Sequence, residues 1–96
     1  MTLAEQLGNA GADVGRAIRA WEDGNEPRCA AALARALAQL DLTLADPRWA
    51  GHRRREVARA RAVVCDLLAG DNVYGPTPVS VEAWFMAYAA QARAGR

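Results

Sequence analysis

The stretch LAEQLGNAGADVGRAIRAW, which runs from Leu3 to Trp21, decides the fold class. Its apolar residues recur at steps of four, three, four, four and three, at Leu3, Leu7, Ala10, Val14, Ile18 and Trp21. That spacing places these side chains on one face of an α-helix. Thr2 stands at the N-cap position, and Glu5 completes a capping box. We therefore predict a first helix over residues 2–22, ended by Asp23-Gly24-Asn25.

A second helix is predicted over residues 26–45, with Pro27 in its first turn. Its apolar stripe consists of Cys29, Leu33, Leu37, Leu40 and Leu44. Pro47 disfavours helical geometry in the residue before it, so this helix ends near Asp46. Because Asp46-Pro47 also has the form of an N-cap and a first helical residue, we predict that the third helix starts there.

The third helix is predicted over residues 47–69, and Gly70 is expected to end it in a left-handed conformation. Its apolar stripe consists of Trp49, Val57, Ala60, Val64 and Leu67. The stretch GDNVYGPTP, residues 70–78, then forms a turn, and Thr77-Pro78 starts a fourth helix over 78–94. The stripe of that helix consists of Val81, Trp84, Phe85, Tyr88 and Ala92.

Four helices with short connections predict an all-α fold, a four-helix bundle with up-down-up-down antiparallel order. The tight turn at Asp46-Pro47 also leaves an orthogonal arrangement open. No strand is predicted, because alternation of apolar and polar residues is nowhere sustained. The 96 residues are expected to form a single domain, 1–96.

Composition narrows the class of protein. The net charge is +1, no signal peptide or membrane-length apolar run is present, and the two cysteines are too few for a disulfide framework. We predict a cytoplasmic protein that does not bind membranes.

We predict no enzyme activity, no metal site and no cofactor. His52 is the single histidine, and with Glu56 one turn later it offers fewer ligands than a catalytic metal needs. Ser80 is expected to hydrogen-bond the local backbone in the first turn of the fourth helix. Gly8, Gly11 and Gly15 lie inside a helix with no preceding strand, so they do not form a phosphate loop.

The basic residues are concentrated in one segment. Residues 47–61 hold six arginines and one acid. Arg48, His52, Arg55 and Arg59 are predicted to line one polar face, while Arg53 and Glu56 project toward the edge of the apolar stripe. The face either complements the acidic segments 22–26 and 41–46 of the same or another chain, or binds nucleic acid.

The fourth helix is apolar on two sides, which predicts two neighbours. Val79, Met86 and Ala90 lie opposite its stripe, so we expect the second neighbour to be another subunit. The glycines of the first helix fit close approach of a helix from the same chain or from a second copy. The candidate interaction surface comprises Arg48, His52, Arg53, Arg55, Glu56, Arg59 and Met86.

The stretch AIRAWEDGN at 17–25, followed by ALARA at 32–36, resembles flagellar-export chaperones of the four-helix type in its rhythm. The resemblance implies binding of a helical segment of another protein and assigns a role to no individual residue. The four apolar stripes, the second apolar side of the fourth helix and the lack of a catalytic constellation predict a homodimeric protein-protein interaction or scaffolding module. The alternative is nucleic-acid binding through the arginine-rich helix 47–61.

Overall fold

The chain forms four α-helices: α1 (Leu3–Glu22), α2 (Glu26–Ala45), α3 (His52–Ala69) and α4 (Pro78–Ala94). The computed structural model describes residues 2–70, 72, 75 and 77–94, and none of them lies in a strand. The helices pack against each other around one main core, which confirms the predicted all-α four-helix bundle. The remaining residues of the stretch 70–78, on which part of the predicted turn falls, lie outside the described residues.

Helix α1 supplies the centre of the core. Leu7, Ala10 and Val14 of its stripe are fully buried. Its start is fixed by the predicted capping box, in which the Thr2 hydroxyl accepts from the Glu5 N–H and the Glu5 carboxylate accepts from the Thr2 N–H, each at 3.1 Å. The capping box therefore sets where α1 begins, and the apolar stripe sets which face it buries.

Helices α1 and α2 form a hairpin. Asn25 caps α2 by accepting the Arg28 N–H at 3.2 Å. Near this turn, a second apolar cluster joins the ends of the two helices and contains Ala17, Ala20, Cys29 and Ala32. Farther from the turn, Asp13 of α1 contacts Gln39 of α2. Positions earlier in α1 therefore pair with positions later in α2. The full up-down-up-down order stays a prediction.

The predicted start of α3 at Asp46-Pro47 is wrong, because α3 begins at His52. The Asp46 carboxylate accepts the Arg48 backbone N–H at 3.0 Å, and the Asp46 carbonyl accepts the Trp49 N–H at 3.2 Å. Asp46 thus ends α2 as its C-cap and closes the turn that follows, instead of N-capping α3. Gly51 follows with φ +66°, a conformation that L-residues other than glycine adopt at a cost, and it separates this turn from α3.

Two predicted roles of single residues also change. Gly70 has φ −112° and is not left-handed, whereas Asn72 has φ +54° and its N–H bonds the Asp66 carbonyl at 3.1 Å. Glycine at 70 relieves crowding, since a Cβ there would lie 3.0 Å from the Asp66 Cα. Trp21, predicted on the buried stripe of α1, is 43% exposed because it lies at the last turn of that helix.

Helix α4 lies unusually close to α1. A Cβ added at Gly11 would lie 2.9 Å from the Phe85 Cβ. Phe85 itself is buried and joins Val81, Val57 and Val64 in the main core. The glycine therefore allows the two helices to approach each other within the chain, which is one of the two roles that the sequence left open for it.

Candidate functional site

The arginine-rich segment divides into a paired and an unpaired part. The Arg48 guanidinium binds the Asp46 carboxylate, with the shortest N–O distance 2.7 Å, and lies 5.0 Å from the centre of the Trp49 ring. Its hydrogen bonds, from the side chain first and then from the backbone, hold the pKa of Asp46 well below its usual range. Arg48 lies before α3 and so does not line its face, which corrects the predicted placement.

Arg61 forms the second pair. Its Nε lies 2.7 Å from Asp41 Oδ1, which joins α3 to α2. The hydrogen bond to Asp41 raises the pKa of Arg61. With Arg48 and Asp46, this pair means that the acidic segment 41–46 is complemented by arginines of the same chain.

The unpaired part is a basic surface on the N-terminal half of α3, which we call the arginine face. Its residues are exposed and, within the described residues, form no ion pair: Arg53, Arg54, Arg55 and Arg59. His52, the first residue of α3, is exposed beside them. Glu56 is also exposed and lies near the Tyr88 hydroxyl. Burial of Tyr88, followed by the negative charge of Glu56, raises the pKa of the tyrosine, whereas the positive charge of Arg53 lowers it.

A cleft of about 220 Å³ opens between α3 and α4 beside the arginine face. Its lining is mainly apolar and includes Ala60, Val63, Val81, Trp84 and Phe85, together with Glu56, Arg59 and Ser80. The Trp84 ring packs edge-on against Phe85 at 4.9 Å and is tilted against Tyr88 at 5.1 Å. The cleft is thus a small apolar space with charged groups from α3 in its wall.

A second groove, of about 390 Å³, lies between α1 and α4. We call it the α1–α4 groove, and its lining consists of Gly8, Gly11, Ala12, Gly15, Arg19, Glu82, Phe85, Met86 and Ala90. Met86 is 69% exposed here, and Val79 on the same side of α4 is 79% exposed. Met86 and Ala90 of the second apolar side of α4 therefore line the same groove as the glycine flank of α1.

The structure separates the candidate residues into two surfaces. His52, Arg53, Arg55, Glu56 and Arg59 lie together on α3, whereas Met86 lines the α1–α4 groove. Phe85 is shared between the cleft and the groove, so α4 stands between them. The predicted interaction surface is thus two surfaces on two flanks of α4.

Comparison of the chain with models of protein families, with curated proteins and with solved structures found no match. Among the described residues, no helix is long and apolar enough to cross a membrane.

Asp13 is the charged residue that the sequence analysis missed. It is 5% exposed, and its carboxylate accepts from Arg16 at 3.0 Å, from Arg35 at 3.2 Å and from Gln39 at 2.8 Å. The signal was present, since Asp13 stands three residues after Ala10 and four before Ala17 on the buried side of α1. Both arginines remain more than half exposed, so the group ties α1 to α2 rather than forming a pocket.

Cys29 and Ser80 are engaged in packing and in local hydrogen bonding. Cys29 is buried in the alanine cluster, and its burial, followed by the nearby Glu26 charge, raises the pKa of its thiol. The Ser80 hydroxyl accepts the Thr77 N–H and donates to the Thr77 carbonyl, as predicted for local backbone bonding, and the Thr77 hydroxyl accepts the Ser80 N–H at the start of α4. In the part of the chain that the structure describes, no three His, Cys, Asp or Glu side chains are grouped to hold a metal ion.

Proposed function

We propose that this protein is a small interaction module that acts as a homodimer, in which two copies meet through the α1–α4 groove. The observation that carries the proposal is that the small residues of α1 and the exposed Met86 of α4 line the same groove. Phe85 and Arg19 of the same chain lie against Gly11 and Gly15, whereas Gly8 and Ala12 leave room for a second copy. Methionine adapts to irregular surfaces. Each copy thus offers both a shallow space and a side chain that protrudes beside it.

A second copy of the chain suits this groove better than a charged partner. In a two-fold interface the same patch occurs on both sides, so the patch must not repel itself. The groove carries one arginine, Arg19, and one acid, Glu82, and is otherwise lined by uncharged residues. The arginine face would instead bring like charges together, which is costly in an interface.

Exchange of Met86 for glutamate tests the proposal. We expect Met86→Glu to weaken self-association at least about tenfold, or about 1.4 kcal/mol, because the interface would bury an unpaired charge. Leu42→Glu is the matched control, since Leu42 is 71% exposed but lines a different groove, between α1 and α2. Sedimentation velocity over the micromolar range measures both variants. A wild-type protein that stays monomeric, or equal effects of the two variants, would contradict the proposal.

Nucleic-acid binding through the arginine face is the second candidate function. The four exposed arginines without ion-pair partners among the described residues favour it. We expect binding of DNA or RNA at low salt, with the slope of log affinity against log salt reduced by about 1.8 in Arg55→Ala/Arg59→Ala. A titration that detects no binding at low salt would remove this candidate.

A further inference from the structure

The turn between α1 and α2 is acidic. Glu22, Asp23 and Glu26 are exposed and form no ion pair within the described residues. Arg28 is the one cation between residues 22 and 28, so the turn keeps a net negative charge. The other acidic segment, 41–46, is already neutralised by Arg61 and Arg48. Only one of the two acidic segments is therefore available to an outside cation.

The acidic turn and the arginine face lie toward opposite ends of the bundle. Trp21, Gly24 and Glu26 share a groove with Leu68 and Ala69, at the C-terminal end of α3. The arginine face occupies the N-terminal half of α3, and at 1.5 Å per residue Arg59 lies about 14 Å along the helix from Leu68. The molecule is 38 Å long. The two charged groups therefore cannot satisfy each other within one copy.

We propose that the arginine face of one copy binds the acidic turn of a second copy, so that the molecules join head to tail. The contact pairs unlike surfaces and is distinct from the two-fold contact at the α1–α4 groove. Charge complementarity identifies the partner. The four arginines of one copy would meet the three carboxylates of the other, and none of these groups has an ion-pair partner among the described residues of its own copy. A contact between unlike surfaces leaves one of each surface free at the ends, so assembly continues to a ring or an open chain.

The cleft between α3 and α4 adds an apolar part to this contact. It adjoins Arg59, and its volume of about 220 Å³ is below the range of about 300–1,000 Å³ that is usual for small-molecule sites. It suits a single apolar side chain. Trp21 is 43% exposed directly beside Glu22 and is the large apolar group that the acidic turn presents. Tryptophan and arginine are the residues most enriched at the energetic centres of interfaces.

Charge reversal on each surface separately provides the test. The first variant, Glu22→Arg/Asp23→Arg, makes the turn basic, and the second, Arg55→Glu/Arg59→Glu, makes the arginine face acidic. Both are expected to fold, since the substituted residues are exposed. Cations at the C-terminal end of α1 and acids near the N-terminal end of α3 also suit the helix dipoles. Circular dichroism melts check this.

Sedimentation velocity then follows assembly at about 0.01 M and about 1 M salt, where the Debye length is about 30 Å and about 3 Å. We expect the wild-type protein to form heavier species at low salt, and each variant alone to lose them, with at least a tenfold weaker association. A mixture of the two variants with opposite changes is the decisive sample. The acidic turn of one variant then meets the arginine face of the other, and the mixture is expected to be heavier than either variant alone.

A chain that carries all four substitutions reverses both charges, and we expect it to assemble again at low salt. A two-fold contact through the α1–α4 groove would persist at about 1 M salt, so the two proposals fail separately. Wild-type protein whose mass is independent of salt would overturn the head-to-tail contact. So would a mixture no heavier than its components, or low-salt binding of an oligonucleotide by a protein that shows no salt-dependent self-association.

Discussion

Replacement of Asp13 by alanine is expected to lower the free energy of unfolding by about 2–3 kcal/mol. The carboxylate is buried and accepts hydrogen bonds from Arg16, Arg35 and Gln39, two of them charged donors. Loss of a hydrogen bond to a charged group costs about 1.5–3 kcal/mol, and the better helix propensity of alanine offsets part of the total. Both arginines reach solvent, which keeps the loss below that of an ion pair buried on both sides.

Asp41→Ala is the matched control for Asp13. It also removes an aspartate that pairs with an arginine of a neighbouring helix, but Asp41 is 55% exposed. We expect a loss of at most about 1 kcal/mol, as is usual for exposed ion pairs. Urea unfolding of the two variants and the wild-type protein measures the difference. Equal losses would show that the burial of Asp13 does not set its contribution.

Replacement of Gly11 by alanine is the second large effect, with an expected loss of about 1–3 kcal/mol. The new Cβ would lie 2.9 Å from the Phe85 Cβ, an atom fixed close to the backbone of α4. The helices must therefore move apart, although alanine in a helix would by itself gain about 1 kcal/mol over glycine.

Gly15→Ala, on the same helix, is expected to change stability in the opposite direction. Its new Cβ would meet the Arg19 guanidinium at 3.4 Å, the far end of a flexible side chain in ordinary contact distance. We expect this variant to be more stable than the wild-type protein by up to about 1 kcal/mol. Thermal unfolding of both variants checks the pair. A stabilised Gly11→Ala variant would mean that α1 and α4 do not approach as described.

Local signals were enough to predict α1, α2 and α4. The capping box at Thr2 and Glu5, and the exchange of hydrogen bonds between Thr77 and Ser80, involve residues three apart. Such contacts depend little on the rest of the fold, so they can be read from the chain alone.

The start of α3 was predicted incorrectly because two local structures compete for Asp46. An aspartate before a proline fits an N-cap, but the same carboxylate can bind the Arg48 N–H and guanidinium two residues on. The positive φ of Gly51 decides between them, and a glycine in a sequence does not reveal its conformation. The same holds after α3, where Gly70 was expected to be left-handed but Asn72 has the positive φ instead.

The candidate surfaces were only partly predictable for a different reason. Periodicity identified the second apolar side of α4 and the glycine flank of α1, yet it could not show that both line one groove. Met86 was grouped with the arginines of α3, but it lies on the opposite flank of α4, in the α1–α4 groove. Which helices are neighbours depends on packing at distant positions, such as Gly11 against Phe85. Asp13 was missed because charge was taken as a sign of exposure.

The central claim is that two copies meet through the α1–α4 groove, and concentration-dependent amide shifts test it most directly. A chain of 10.3 kDa is well suited to NMR, and about 1 M salt suppresses contacts between exposed charges. We predict that dilution through the micromolar range shifts the amides of Gly8, Gly11, Ala12, Gly15, Met86 and Ala90. Amides that do not change with concentration, or changes confined to α2 and α3, would contradict the claim.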